Sequence, residues 1–122
     1  MIIGIGTDLV DNRRLEGWLT QPGLLKKYFT DRELFDVGHS AHPAASLAAR
    51  FAAKEAAAKA LGCGIGDVGW KEIEVARDLR RGPQLVLHGA AKALAAELGL
   101  TEWSVSLSHT HEHAMAMVVA IG

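Results

Sequence analysis

One alanine-rich segment combines a carboxylate with several cations. Residues 50–59 read Arg-Phe-Ala-Ala-Lys-Glu-Ala-Ala-Ala-Lys. In a helix, Glu55 and Lys59 are four residues apart and share a face, and so do Arg50 and Lys54. Carboxylate oxygens bind Mg²⁺ and cations neutralise phosphate oxygens, so the pattern favours a site for a metal-bound polyphosphate. The alternative is a solvated helix with an ordinary Glu-to-Lys pair, for which the same spacing is also typical.

A second carboxylate, Asp8, lies near the end of an apolar, β-rich stretch at residues 2–10. Residues 4–7 before it read Gly-Ile-Gly-Thr, and glycines in a strand allow another backbone or a ligand to come close. Asp8 is therefore a candidate metal or ligand contact. The alternative is an aspartate that caps a helix or stabilises a turn.

Three histidines alternate near the end of the chain: His109, His111 and His113. Alternate histidines on one strand could bind zinc. The predicted strand turns near His111, however, so the three side chains need not share a face. His109 extends the apolar face of residues 103–109, which favours a core or substrate contact for this residue over a metal ligand.

A glycine-rich turn, residues 62–66, reads Gly-Cys-Gly-Ile-Gly. Its backbone N–H groups could cradle a phosphate. The Gly-Lys-Ser/Thr of a phosphate-binding P-loop is missing, so a helix C-cap followed by a loop is the alternative. No partner base is apparent for Cys63, which favours a small packing residue over a nucleophile.

A series of helices and strands must position these residues. Strands are predicted over residues 2–10, 71–78, 83–88, 103–109 and 114–121, and helices over 12–19, 22–28, 43–61 and 89–98, with another starting after a Thr30–Glu33 capping box. The longest helix is alanine-rich, begins at Pro43 and stops at Gly62. The order of elements indicates an α+β domain. The last strand is apolar on both faces, which predicts cover from another subunit.

Length and composition restrict the function classes further. The chain has 122 residues, 49 % hydrophobic and 22 % charged, which predicts a single domain over 1–122. A formal net charge of −1 gives no basic field for nucleic acid. No stretch is apolar over the ~18 residues that cross a bilayer, and the first residues lack a basic leader. We therefore expect a cytoplasmic protein without nucleic-acid or membrane partners.

Three blocks together resemble the holo-(acyl carrier protein) synthase family of 4′-phosphopantetheinyl transferases. They are residues 3–10 (Ile-Gly-Ile-Gly-Thr-Asp-Leu-Val), 50–62 and 105–110 (Val-Ser-Leu-Ser-His-Thr). Their order and spacing match over nearly the whole chain, and the helix block is the most specific. The resemblance implies an antiparallel sheet with one long helix, a homotrimer with active sites between subunits, and transfer of phosphopantetheine from coenzyme A to a serine of acyl carrier protein, in support of fatty acid biosynthesis.

The resemblance also implies roles for individual residues. Asp8 and Glu55 would bind Mg²⁺, and Glu55 and Lys59 would be catalytic. Glu55 is the first choice to accept the serine proton and His109 the second. The coenzyme A contacts would be Arg50, Lys54, Lys59, Gly62, Gly64, His109 and Thr110. The carrier protein would dock on Arg14, Arg13 and Lys26, which lie in a basic stretch opposed only by Glu16.

The sequence departs from the family pattern at Cys63, where threonine or serine is frequent, and in residues 38–42. Three other functions remain open. The chain could bind coenzyme A or a nucleotide without turnover, or it could be a magnesium-dependent phosphohydrolase of a small nucleotide. The third is the longer, two-lobed transferase class, against which the length of this chain argues.

Overall fold

Two antiparallel sheets and a central helix organise the chain in a computed structural model that describes all of residues 1–122. The strands are β1 (Ile2–Asp11), β2 (Ile73–Asp78), β3 (Gly82–Leu87), β4 (Glu102–His109) and β5 (His113–Ile121). The helices are α1 (Asn12–Glu16), α2 (Pro22–Tyr28), α3 (Asp31–Gly38), α4 (Pro43–Ala60) and α5 (Gly89–Glu97). Short 3₁₀ turns precede α2 and β2. No helix is both long and apolar enough to cross a membrane.

The larger sheet has the order β1-β5-β4, so β5 is its central strand. Asp8 and Leu107 both pair with Ala116 of β5 and form one row across the sheet. In the next row, Val10 and His109 both pair with the same residue of β5. Since alternate residues of a strand point to one face, Asp8 and His109 lie on the same face but on opposite edge strands.

Helix α4 packs against this face because β1 presents glycines to it. A Cβ atom at Gly6 would be 1.8 Å from the carbonyl oxygen of Ala56, and one at Gly4 would be 2.0 Å from that of Ala60. Such a separation leaves no room for any side chain. The two glycines therefore allow the backbones of β1 and α4 to come into direct contact, and this contact fixes how the helix lies on the sheet.

The smaller sheet, β2–β3, packs against α3 and α4 through β2 and lies next to β4 through β3. The carboxylate of Glu72 joins its start to α5, because it accepts hydrogen bonds from the N–H groups of Gly69 and Ala90. These two bonds hold the pKa of Glu72 below its ordinary value.

Most predicted elements are present, and the α+β class is confirmed. The strands form two sheets rather than one. Helix α1 ends at Glu16, and a 3₁₀ turn, Gly17–Thr20, continues it. The capping box of Thr30 and Glu33 is present at the start of α3.

Strand β5 is apolar on both faces, and within the single chain only one of them is covered, so the cover from another subunit stays a prediction. The side chains facing α4 are buried, whereas Met115 and Met117 on the other face are about 40 % exposed. Leu9 pairs with Met115, and Ile5 lies on the same outer face of the sheet. We call this set (Ile5, Leu9, Met115 and Met117) the outer apolar face.

Candidate active site

Asp8 belongs to the interior of strand β1 and is not a helix cap. The N-cap of α1 is Asp11, whose carboxylate accepts a hydrogen bond from the N–H of Arg13. The side chain of Asp8 is 20 % exposed and lies 3.4 Å from Nζ of Lys59. The same ammonium donates to the carbonyl oxygen of Thr7 at 2.9 Å. Lys59 thus reaches from the end of α4 to the strand that carries Asp8.

Glu55 lies on α4 beside the point where the helix touches β1. It directly precedes Ala56, whose carbonyl faces Gly6, and Gly6 is two residues from Asp8. The side chain of Glu55 is half-buried and accepts no hydrogen bond from the protein. The solvated Glu55–Lys59 pair is not formed, because Lys59 contacts Asp8 instead. We call Asp8 and Glu55 the acidic pair.

The acidic pair fits a hard divalent cation. Both residues offer carboxylate oxygens, which Mg²⁺ and Ca²⁺ prefer. The Lys59 ammonium contacts only the carboxylate of Asp8, so Glu55 has no cationic partner in the chain. No three His, Cys, Asp or Glu side chains converge in this structure, so a metal here needs oxygen ligands from a substrate or from water.

Lys54 is buried in the core and bonded within the protein, which contradicts the prediction that it contacts coenzyme A. Its side chain has no exposure, and Nζ donates to Glu33 Oε1 at 2.7 Å and to the carbonyl oxygens of Trp70 and Ile73 at 3.0 and 2.6 Å. An ammonium has three protons, and all three are used. The lysine cannot reach a phosphate without leaving a buried carboxylate unpaired.

Arg50, by contrast, lines a cleft. Its guanidinium donates to the carbonyl oxygen and the Oγ of Ser46, at 3.2 and 2.6 Å. It also lies 3.9 Å from Asp36. Burial lowers the pKa of Arg50 below its ordinary value, and Nε has no hydrogen-bond partner. One edge of the guanidinium is therefore left without an acceptor.

Two adjoining clefts, of about 530 and 320 Å³, open at the start of α4. They share His42 and His109, whose ring centroids are 6.1 Å apart, and Arg50 lines the smaller one. We call the two together the histidine cleft. Neither is lined by Asp8 or Glu55.

Sequence reasoning missed His42. The residue lies in the weakly matched segment before Pro43, and only its position as the N-cap residue of a long helix marks it. His109 lies on the predicted face of β4, the face of Val105 and Leu107. Its side chain is exposed to the cleft and is not buried in the core.

Thr110 closes the turn between β4 and β5. Its Oγ1 accepts hydrogen bonds from the N–H groups of Glu112 and His113, at 3.3 and 3.0 Å. Its carbonyl oxygen accepts one from the buried side chain of Asn12 at 3.1 Å. The Thr110 hydroxyl thus already accepts two hydrogen bonds within the turn, and the predicted contact with coenzyme A would have to share it. The zinc alternative gains no support, since His109, His111 and His113 do not converge.

The glycine turn after α4 is engaged by the protein itself. Gly62 has a φ of +73°, and its N–H donates to the carbonyl oxygen of Lys59. The N–H of Gly64 donates to Asp67 at 3.3 Å. The N–H groups of Gly62 and Gly64 therefore have partners within the chain, and the contact of this turn with a phosphate stays a prediction. Burial raises the pKa of Cys63, so its thiolate is disfavoured, as the packing interpretation requires.

The predicted docking residues differ in their surroundings. Arg13 forms an ion pair of 2.9 Å with Asp11 and holds the pKa of that carboxyl at about 2. The expectation that only Glu16 opposes the basic stretch is therefore wrong, because Asp11 offsets Arg13. Arg14 lies over an aromatic ring, and Lys26 is exposed on α2.

The chain is similar to known proteins over nearly its whole length. Residues 4–118 match the family described as the 4′-phosphopantetheinyl transferase superfamily. The chain is 45 % identical to a holo-[acyl-carrier-protein] synthase of Moorella thermoacetica, over 93 % of this chain and 90 % of the relative. It is also 45 % identical to that of Herpetosiphon aurantiacus, over 96 % and 97 %.

Solved structures are similar over the same length. The holo-[acyl-carrier-protein] synthase of Neisseria meningitidis superposes with a TM-score of 0.88 at 34 % identity, and all of both chains is covered. The enzyme of Helicobacter pylori, solved in complex with coenzyme A, gives a TM-score of 0.82 at 27 % identity, over 95 % of this chain and 98 % of that one.

Proposed function

The chain belongs to the 4′-phosphopantetheinyl transferase superfamily, and we propose that it acts as a holo-(acyl carrier protein) synthase. It transfers the 4′-phosphopantetheine group of coenzyme A to a serine of apo acyl carrier protein, releases 3′,5′-ADP, and so supports fatty acid biosynthesis. The full-length match to synthases supports this activity. The observation that carries it within the chain is the contact of Lys59 with Asp8, beside the unpartnered Glu55.

Asp8 and Glu55 are proposed to hold Mg²⁺ against the pyrophosphate of coenzyme A. When bound, the metal would neutralise charge that builds on the phosphate oxygens. Lys59 supports this role from the protein side, because its ammonium already points to the carboxylate of Asp8 and can turn to a phosphate oxygen. The exposed fraction of the Lys59 side chain, 54 %, leaves it free to do so.

The reaction needs an acceptor for one proton. The serine oxygen forms a bond to the β-phosphorus of coenzyme A while the bond from that phosphorus to the 3′,5′-ADP oxygen breaks. Glu55 takes the serine proton, directly or through water, because it is the carboxylate that the protein leaves without a hydrogen bond. His109 is the second choice, since it lies on the far edge strand of the sheet.

The histidine cleft is proposed to bind the nucleotide end of coenzyme A. Arg50 brings a cation to the lining of the smaller cleft, and His42 and His109 line both clefts. Arginine and histidinium both bind phosphate oxygens well. His42 thus joins the contacts that the sequence predicted.

A homotrimer with active sites between subunits is proposed for two reasons. Neither cleft is lined by Asp8 or Glu55, so the cleft of one subunit next to the acidic pair of another would form one continuous site. In addition, the outer apolar face exposes Ile5 by 58 % and Leu9 by 64 %, and apolar patches of this kind are typical of protein interfaces. Cover from neighbouring copies accounts for both observations. We also propose that the protein works in the cytoplasm, where acyl carrier proteins are its substrates.

The test is chromatographic assay of 3′,5′-ADP released from coenzyme A and Mg²⁺, with and without apo carrier protein. Transfer predicts release only with the carrier and in a 1:1 ratio to carrier consumed. Release without a carrier would identify the phosphohydrolase instead. Coenzyme A that binds but is never cleaved, with any of several carriers, would identify a binding protein.

A further inference from the structure

Arg14 is held against an aromatic ring and not against an acid. Its guanidinium carbon Cζ lies 4.9 Å from the centroid of the Phe51 ring, within the range of a cation–π interaction. Arg14 is exposed and Phe51 is 3 % exposed, so a core ring supports a surface cation. The neighbouring Arg13 differs, because Asp11 compensates its charge. Arg14 is therefore the arginine of α1 that keeps its charge available for a partner.

The ring of Phe51 is itself held by other aromatic rings. It stacks on Trp70 at 4.8 Å between centroids and 27° between planes. Trp18 meets it edge-on at 5.8 Å and 88°. Stacked and edge-to-face arrangements are the favourable ones for aromatic pairs. A ring enclosed on two sides has little freedom to rotate, so it defines the direction in which Arg14 extends.

Phe51 also relates Arg14 to the acidic pair. Phe51 and Glu55 are four residues apart on α4, so they share one side of a helix whose backbone is rigid. The guanidinium on Phe51 thus lies at a fixed distance from the carboxylate proposed to accept the serine proton. A protein bound to Arg14 would have its own position set relative to Glu55.

We propose that Phe51 is a positioning residue, which holds the Arg14 guanidinium ready for a carboxylate on an acidic carrier protein. The proposal rests on the proposed function, because it needs a carrier that docks on α1. A guanidinium that is already ordered loses less side-chain freedom when it binds. The benefit falls on the KM for the carrier and not on the KM for coenzyme A, because Arg14 lies on α1 whereas the proposed coenzyme A contacts Arg50 and His109 point into the histidine cleft.

A double-mutant cycle tests the coupling. Wild type, Phe51→Leu, Arg14→Gln and the double variant are compared by kcat, by KM for the carrier, by KM for coenzyme A and by thermal unfolding. Removing the ring raises the carrier KM about threefold, the size of an exposed cation–π contact. In the Arg14→Gln background the same substitution leaves the carrier KM unchanged. The KM for coenzyme A stays constant in all four proteins.

An equal rise of the carrier KM in both backgrounds would overturn the positioning role while leaving carrier docking intact. An unchanged carrier KM in Arg14→Gln alone would overturn the docking on which it rests. Because loss of a core ring can prevent folding, the wild type is also tested by NMR. The Nε–H group of Arg14 is expected to show restricted motion compared with the exposed Arg80 and Arg81. Equal mobility of the three would contradict the proposal.

Discussion

The ammonium of Lys54 lies 2.7 Å from the Oε1 atom of Glu33, and neither side chain has any solvent exposure. Glu33 Oε2 accepts a further hydrogen bond from the N–H of Val75 at 3.0 Å. The pair therefore connects α3, α4 and β2 within the core. Since Glu55 follows Lys54 directly, this buried pair anchors the helix turn that carries a proposed catalytic residue.

Replacing Lys54 with methionine is expected to destabilise the protein by about 3–5 kcal/mol, because it leaves the carboxylate of Glu33 buried without its cation. Urea unfolding followed by circular dichroism measures the free energy of unfolding. Lys59→Met is the matched control, since the Lys59 side chain is 54 % exposed and its removal is expected to change stability by less than about 1 kcal/mol. Equal stability of the two variants would show that the buried pair contributes nothing.

Gly6→Ala is expected to lower both stability and turnover. The new Cβ would lie 1.8 Å from the carbonyl oxygen of Ala56, so β1 must move away from α4 and carry Asp8 away from Glu55. Overpacking of this kind costs about 1–3 kcal/mol or more. Gly23→Ala is the control, because nothing lies within 4 Å of a Cβ there and helix α2 gains a better helix former. Thermal unfolding and steady-state turnover measure both effects, and a fully active Gly6→Ala would remove the need for this close contact.

These two variants also show what local sequence can predict. Helix α4 begins at the predicted Pro43, because alanine propensity, a first-turn proline and a following glycine are all local signals. The burial of Lys54 depends instead on a partner 21 residues away. Spacing along one helix cannot reveal such a contact, so Arg50 and Lys54 looked equivalent although only Arg50 lines a cleft.

The two residues of the acidic pair could be named as candidates from the sequence, but their contacts with the rest of the chain could not be predicted. Asp8 and Glu55 came from sequence blocks, whereas the reach of Lys59 to Asp8 spans 51 positions and depends on how α4 crosses β1. His42 was missed for a similar reason. Its position beside His109 is created by the packing of α4 on the sheet, and its own segment carries no recognisable motif.

Subunit mixing tests whether the active site is shared. Glu55→Gln removes one member of the acidic pair, and His109→Ala removes one side of the histidine cleft. If one chain supplies the first and a neighbour supplies the second, equal mixing of the two variants restores up to about a quarter of wild-type activity, because one subunit interface in four then joins two intact halves. Activity no higher than the mean of the separate variants, with mixed trimers visible by native mass spectrometry, would place both halves in one chain.

Acid stability tests the connection of Glu72 to α5. The N–H groups of Gly69 and Ala90 hold the pKa of Glu72 below its ordinary value in the folded protein, so the unfolded chain binds more protons as the pH falls. The contribution of this carboxylate is therefore present at neutral pH and is lost as the pH falls through the folded-state pKa. The free energy of unfolding of Glu72→Gln should be lower than that of wild type at about pH 7, and the difference should shrink toward about pH 3. A difference that is independent of pH would show that the charge of Glu72 has no part in this connection.

Intact-mass spectrometry of apo acyl carrier protein tests the central claim most directly. The carrier is incubated with coenzyme A and Mg²⁺, together with wild type, with wild type plus EDTA, or with Glu55→Gln. Wild type is predicted to add the mass of one phosphopantetheine to the carrier, EDTA to prevent the gain, and the folded Glu55→Gln variant to lose most of it. An unmodified carrier with wild type would contradict the transferase assignment, and a wild-type rate in Glu55→Gln would remove Glu55 from the reaction.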